Sequence, residues 1–558
     1  MSRVYDLAHR YVDEFVALDP LAATRLGIPG HDAEISDLSP AGAAASVAHA
    51  RKTVAELQET PVEGEADRIA RDVMLDRLAV QIDLYGAGEQ YMSARTLGSP
   101  PAGFRSVFDQ MPRATAEDWS NISSRLNKSS QALDGYRETL AEGTAKRRTV
   151  AARQVRELAR QAEVWSGQKQ GQPSFFSTIR ADFERSGIGD DALRADIESG
   201  VRVADEAYAS LRRYLLEEYL PHAVERDGSG RERYQLGVSN FVGAALDLDE
   251  TYAWAWDELH RLEREMETTA EQIKPGSTVE EARALLDSDP ARQVEGVEAY
   301  RAWLQEKHDD ALDKLDGVHF AIDERIRRIE VMIPPPGGAL AAFYTGPSED
   351  FSRPGRTWFP VGTRTTFPKW TDVTTVYHEG VPGHHLQVGA TKCLDLSRYQ
   401  RMLAFVSGHG EGWALYSERL MAELGFLDVP DYYMGMLSMQ ALRAVRVIVD
   451  IGMHLELPIP KNEEFHPGET WSHDLAVEFT IEKTGINREL VASEILRYLG
   501  WPAQAISYKV GERRWLAARD EAKRRQGASF DLKRFHTDAL GLGPMGLAQL
   551  ETELARMA

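Results

Sequence analysis

Apolar residues recur every three or four positions, with charges between them, along almost all of the first 310 positions of this chain. That spacing gives a helix one apolar stripe and suits no strand, because side chains on a strand change face at every residue. Helices are expected over residues 4–18, 66–84, 116–143, 152–165, 190–219 and 248–273, separated by turn-rich stretches at 98–103, 167–173 and 227–230. The texture changes between about 317 and 370. Residues 328–333 alternate and run into Pro334-Pro335-Pro336-Gly337-Gly338, while 341–344 and 356–361 are short, aromatic and bounded by Gly and Pro. A small sheet of three or four strands is expected there. Helical spacing returns from 372, with helices expected at 433–455, 475–484, 488–499 and 508–526. The fold class expected is mainly α. A helical region 1–310 would form one wall of a cleft, and a region 311–558 would hold the sheet and the remaining helices.

Composition excludes several partners. The 558 residues carry 65 basic and 87 acidic side chains, a net charge of −22, which argues against a nucleic-acid-binding surface. No uncharged apolar run reaches about 18 residues, so no membrane span is expected. The single cysteine, Cys393, excludes an internal disulfide framework and a four-cysteine zinc site. It suits a reducing compartment. The first twenty residues read as an amphipathic helix and lack the apolar core of a signal peptide, so a cytoplasmic location is expected.

The chemistry is concentrated in Asp372-Val-Thr-Thr-Val-Tyr-His378-Glu379-Gly-Val-Pro382-Gly383-His384-His385. Asp372 is the expected N-cap of a helix that carries His378 and Glu379. Zinc hydrolases commonly show His-Glu-x-x-His, which sets two imidazoles one turn apart with the Glu beside the metal-bound water. Here the position four after His378 is Pro382, which cannot bind metal. On an unbroken helix, at about 100° per residue, His384 would point roughly 120° away from His378, and His385 would lie about 10.5 Å along the axis. Pro382 and Gly383 predict a break. A two-residue bulge would carry His384 into the place of the second imidazole; a three-residue bulge would deliver His385 instead.

A hydrolytic zinc site takes three protein ligands and keeps one position open, so a third ligand is needed. The segment Ser407-Gly-His409-Gly-Glu411-Gly-Trp413-Ala-Leu-Tyr416-Ser-Glu418 offers Glu411, with glycines at 408, 410 and 412 leaving room for close backbone approach. Glu418, two turns on, falls on the same face and could orient a ligating imidazole. Arg443 and Arg446 lie three apart on an otherwise apolar helix. A buried arginine needs a carboxylate, either internal or the C-terminal carboxylate of a substrate, which makes both candidate substrate-binding residues. Asp450 and His454, four apart, could form a carboxylate–imidazole pair that fixes the tautomer.

The segments His378-Glu-Gly-Val-Pro-Gly-His-His385 and Glu411-Gly-Trp-Ala-Leu-Tyr-Ser-Glu418 resemble the two signature segments of a bacterial family, domain of unknown function number 885. That family is similar to gluzincin zinc metallopeptidases such as angiotensin-converting enzyme, the oligopeptidases and the helical carboxypeptidases. The resemblance implies a two-lobed, metallopeptidase-like helical architecture with the small sheet beside the metal helix. It also implies one Zn²⁺ held by two histidines and a glutamate, with Glu379 as general base. Tyr508 and His454 are, by the same resemblance, the two candidates for the oxyanion donor. Two features depart from the family pattern: Ala503 stands where Gly is usual, and 457–472 is longer than usual.

The reaction expected is zinc-dependent hydrolysis of a peptide bond in a short peptide, since a deep helical cleft excludes folded chains. A bound Zn²⁺ lowers the pKa of its water from 15.7 to about 7. Glu379 would take that water's proton and pass it to the leaving amine. The rival expectations are hydrolysis of a small non-peptide amide or specialised metabolite on the same site, and an inactive metal-bound helical scaffold.

Overall fold

The computed structural model describes residues 2–334 and 341–557; the expected proline–glycine run lies, from Pro335 to Gly338, outside the described residues. The chain is mainly helical with two small sheets. It forms two units, Met1–Gly228 and Ser229–Ala558. Among the described residues no helix is long and apolar enough to cross a membrane.

In the first unit the long helix α1 (Asp191–Tyr214) buries Ile197, Val201, Ala204, Tyr208 and Leu211, the three-and-four spacing that its sequence predicts. The expected helix 116–143 is two helices, Ala116–Asn127 and Ser129–Ala145, with Lys128 between them. The first of these starts on a reciprocal cap, Thr115 accepting from the Asp118 amide while the Asp118 carboxylate accepts from the Thr115 amide. Edge-on aromatic pairs fill the core, Trp119 on Phe183 with centroids 5.2 Å apart and Phe108 on Phe176 at 5.9 Å. Arg125 is wholly buried there, donating to the carbonyls of Pro20, His31 and Glu34 at 3.2, 3.0 and 2.8 Å.

The second unit begins at Ser229, not near 310 where the sequence texture changes. α2 (Leu248–Ile273), expected in the first lobe, and α3 (Val297–Leu315) are packed inside it. Trp471 donates to the Tyr252 hydroxyl at 2.7 Å, Lys509 meets Glu258 at 2.9 Å, and Tyr300 donates to Asp372 at 2.7 Å. The turn-rich stretch 227–230 falls at this boundary, but helical spacing runs on both sides of it, and similar stretches at 98–103 and 167–173 lie inside the first unit. The change near 310 marks only the approach to the sheet.

The strands are β1 (Gln293–Glu295), β2 (Ile329–Met332), β3 (Phe343–Thr345), β4 (Gly355–Trp358) and β5 (Thr366–Pro368). One sheet has the order β2-β4-β3, with β2 parallel to β4 and β3 antiparallel to it, Phe343 opposite Trp358. β2 and β4 alternate between buried and half-buried residues; for β2 this is the period-two pattern its sequence showed, whereas β4 was marked by its short aromatic run between Gly and Pro. The second sheet is the antiparallel pair β1–β5, which is too short to show as a pattern in the sequence. The long segment 457–472 folds back on itself through a Pro458–Thr470 bridge and buries Phe465 against Trp471.

Candidate metal centre

β5 leads directly into α4 (Lys369–Glu379), which has Pro368 at its N-cap and no capping side chain. Asp372, the expected cap, lies inside the helix instead and accepts from the Tyr300 hydroxyl; burial raises its carboxyl. The helix ends at Glu379, and α5 (His384–Cys393) begins after four intervening residues. Across this break the Gly383 amide donates to the Tyr377 carbonyl at 3.1 Å, a bond that a regular helix would give to Val381. Two residues are therefore looped out, and His384 stands where the residue four after His378 normally stands. A methyl group at Gly383 would lie 2.0 Å from the His378 carbonyl oxygen, so only glycine permits this closure.

The third element is α6 (Ser407–Glu423), which carries Glu411 and Glu418. Glu411 Oε2 lies 3.4 Å from His378 Nε2 and 3.3 Å from His384 Nε2. The ligand atoms of these three residues all lie within 4.8 Å of one another. The rings of His378 and His384 meet at 88°, centroids 4.8 Å apart. Glu418 Oε1 takes the other nitrogen of His378, Nδ1, at 2.7 Å, so that Nε2 is the nitrogen presented to the cluster. His385 does not join it. Its Nε2 donates to the Ile326 carbonyl at 2.7 Å and its Nδ1 meets the Tyr344 hydroxyl of β3 at 3.0 Å, which ties the sheet to this helix.

Burial opposes every charge at the centre, and at His378 and Glu411 the partners outweigh it. His378 is held up at about 9 against burial by Glu411 and Glu418. The Glu411 carboxyl, which burial alone would raise, is held well below its ordinary value by His384 and His378. Burial raises Glu379, against the pull of His384 and His378. Buried Glu379 and Glu418 and half-buried Glu411 thus stand here with one buried guanidinium, Arg443, whose Nη2 is 4.0 Å from Glu418. Two imidazole nitrogens and a carboxylate converging within 4.8 Å are the donor set that a zinc ion takes.

The remaining candidates divide. α7 (Pro430–Leu455) carries Arg443, Arg446, Asp450 and His454; α8 (Arg488–Gly500) and α9 (Ser507–Gln526) follow. Tyr508, in the first turn of α9, is held beside Glu411 because Gly412 and Gly511 let α6 and α9 touch: a methyl at Gly412 would be 2.5 Å from the Gly511 Cα. Its ring faces the guanidiniums of Arg446 at 4.9 Å and Arg443 at 5.9 Å. His454 is eleven residues beyond Arg443 on the same helix, roughly 16 Å along its axis. Its Nδ1 accepts from the Ser229 amide at 3.2 Å and its Nε2 donates to the Tyr498 carbonyl at 3.1 Å. Both nitrogens are thus used structurally, and the expected role of His454 as oxyanion donor is not supported by its position. Asp450 accepts from Tyr234 at 2.6 Å and from the Ala503 amide at 3.1 Å; at 3.6 Å its other oxygen is too far from His454 to set the tautomer. Arg446 donates to Glu494 at 2.9 Å and to the Tyr498 hydroxyl at 2.8 Å, an internal ion pair.

Sequence reasoning missed Glu494 and Arg497, which bond each other at 2.8 Å and stand beside Arg446 and Tyr508. A Glu–Arg pair three apart on a helix reads as a solvated surface pair. It also missed Lys509, buried between Glu258 and Glu512, because its neighbours come from distant helices.

Fold and site together define a mainly helical protein with a buried histidine–histidine–glutamate centre beside a small sheet. The chain belongs to the family described as bacterial protein of unknown function (DUF885), which it matches over residues 20–554. Among curated proteins no relative matches the sequence. Two solved structures share the fold. One, described as a "putative lipoprotein" from Colwellia psychrerythraea, is 22% identical with a TM-score of 0.85, covering 99% of this chain and 98% of that one. The other, a "putative lipoprotein of unknown function" from Shewanella oneidensis, is 16% identical with a TM-score of 0.76 and full coverage of both chains.

Proposed function

We propose that this protein is a zinc-dependent hydrolase of peptide bonds in short peptides. The observation that carries the reading is the convergence of His378 Nε2, His384 Nε2 and Glu411 within 4.8 Å, with Glu418 behind His378 and Glu379 beside it in sequence. This arrangement is similar to that of the gluzincin metallopeptidases, where two histidines and the base come from one helix and a glutamate from the next completes the site. His378, His384 and Glu411 would hold one Zn²⁺. When bound, the ion supplies Lewis acidity, making hydroxide available near neutral pH and polarising a carbonyl.

The chain's own residues supply the rest. Glu379 accepts the proton of the attacking water and returns it to the leaving amine. Tyr508, whose hydroxyl makes no hydrogen bond among the described residues, donates to the developing oxyanion, a contribution of about 3–4 kcal/mol in comparable sites. Glu418 fixes the His378 tautomer. A cytoplasmic location goes with this reading on composition. The two structural relatives described as lipoproteins make the cell envelope the competing location, and fractionation separates them.

The test is metal analysis of protein purified without chelators, with turnover of a dipeptide and tripeptide library. One zinc per chain and cleavage that disappears in Glu379→Gln support the reading. Zinc without cleavage sinks the peptidase, and no metal at all sinks the centre.

A further inference from the structure

The cations around Tyr508 outnumber the carboxylates that serve them. Arg446 and Arg497 share one partner: Glu494 Oε2 is 2.9 Å from Arg446 and 2.8 Å from Arg497. Arg443 has none of its own. Its Nη1 donates to the Met439 carbonyl at 3.3 Å, and its Nη2 is 4.0 Å from a Glu418 oxygen that His378 already holds at 2.7 Å. Its Nε is buried without a hydrogen-bond partner, although the residue is only 7% exposed. All three guanidiniums act on the Tyr508 phenol, and Glu411, a carboxylate that acts on it too, is committed to the two imidazoles. Glu494 alone serves both Arg446 and Arg497, and Arg443 has no carboxylate within hydrogen-bond distance. Buried cations are stable when an anion completes them, and an unmade buried N–H donor is costly.

We propose that this protein's substrates carry a carboxylate that docks on Arg443 beside Tyr508, next to the scissile bond. The inference rests on the hydrolase reading and names the substrate class for it. The link from Arg443 to His378 runs through one Glu418 oxygen, so the guanidinium lies within roughly 7 Å of the first ligand, about two residues of extended chain. A carboxylate seated there belongs to the residue that follows the cleaved bond. Its source is the free C-terminus of a short peptide or an acidic side chain at that position. A planar guanidinium with an unused donor suits a carboxylate better than a point charge does.

The experiment measures binding without turnover. Zinc-loaded Glu379→Gln protein is titrated calorimetrically with N-acetyl-dialanine, with its C-terminal amide, and with an amidated analogue ending in glutamate. The free acid is expected to bind about 10-fold or more tightly than the amide. In an added Arg443→Gln substitution that ratio should fall toward one with zinc content unchanged, and Arg443→Lys should recover part of it. If the glutamate amide binds like the free acid, the carboxylate is a side chain; if it binds like the plain amide, it is the C-terminus. Either result supports the carboxylate seat. Equal binding of acid and amide, or no measurable binding of either, overturns it, whether or not the arginine variants fold. The hydrolase reading fails separately, if the intact protein binds the acid preferentially and never cleaves it.

Discussion

Two histidine–carboxylate clusters are buried in the second unit, and they differ in what their imidazoles have left over. At His454 the backbone takes both ring nitrogens, Ser229 donating to one and Tyr498 accepting from the other, while Asp450 is occupied by Tyr234 and Ala503. At His378 a carboxylate takes one nitrogen only, and the other faces His384 and Glu411, with no amide or carbonyl to satisfy it. Residue type and burial are alike. A ligand is an imidazole whose second nitrogen the fold leaves unused, and a structural histidine is one whose nitrogens are both spent.

The comparison can be broken in order of effect. Glu379→Gln is expected to lower kcat by about 10²–10⁴-fold while zinc stays stoichiometric, read by steady-state kinetics beside metal emission; an unchanged rate would remove it as the base. Glu411→Ala should lose most of its zinc, whereas His454→Gln should keep it and lose only stability. Equal metal loss in both would erase the distinction between the clusters. Glu418→Gln should weaken zinc affinity by about 10–100-fold in chelator competition, because the carboxylate behind His378 sets its tautomer and basicity.

Smaller effects test the structural cluster. Burial holds His308 down at about 3, His536 at about 3 and His454 at about 4. In the unfolded chain each titrates near 6.5, so as pH falls from about 6.5 toward 4 the unfolded state binds protons that the folded state refuses. Their contribution to stability is complete above about 6.5 and shrinks below it. Asp450 works the other way: burial holds its carboxyl up at about 7, so the folded form gains as acid is added and offsets one of the three. Denaturant midpoints should therefore fall between pH 6.5 and 4, and less steeply in His454→Gln; a midpoint that rises over this range would contradict the neutral, buried imidazoles. The smallest effect is at Ala503, whose φ of +70° is left-handed. Ala503→Gly should stabilise the protein by about 0.5–1 kcal/mol with zinc and activity unchanged.

Much of the site was legible because its signals are local. Pro382 in place of the expected second histidine announced a break, and two looped-out residues are what bring His384 to His378. The glycine at 412 announced a close approach, which Gly511 supplies. Asp372 misled because a carboxylate near a helix start reads as a cap, whereas the Tyr300 hydroxyl from α3 claimed it inside the protein. His454 misled for the same reason: its partners, Ser229 and Tyr498, are 225 and 44 residues away.

The sequence by itself determined most of the helices, the strands of the three-stranded sheet, the break at Pro382 and the residue types able to hold a cation, since periodicity, ring constraints and donor chemistry act over a few residues. Only the tertiary structure decided that His384 and not His385 faces Glu411, that residues 229–310 join the second unit, and that Arg446 is paired while Arg443 is not. Those outcomes depend on which distant groups reach a buried nitrogen or oxygen first, and no spacing along the chain encodes that.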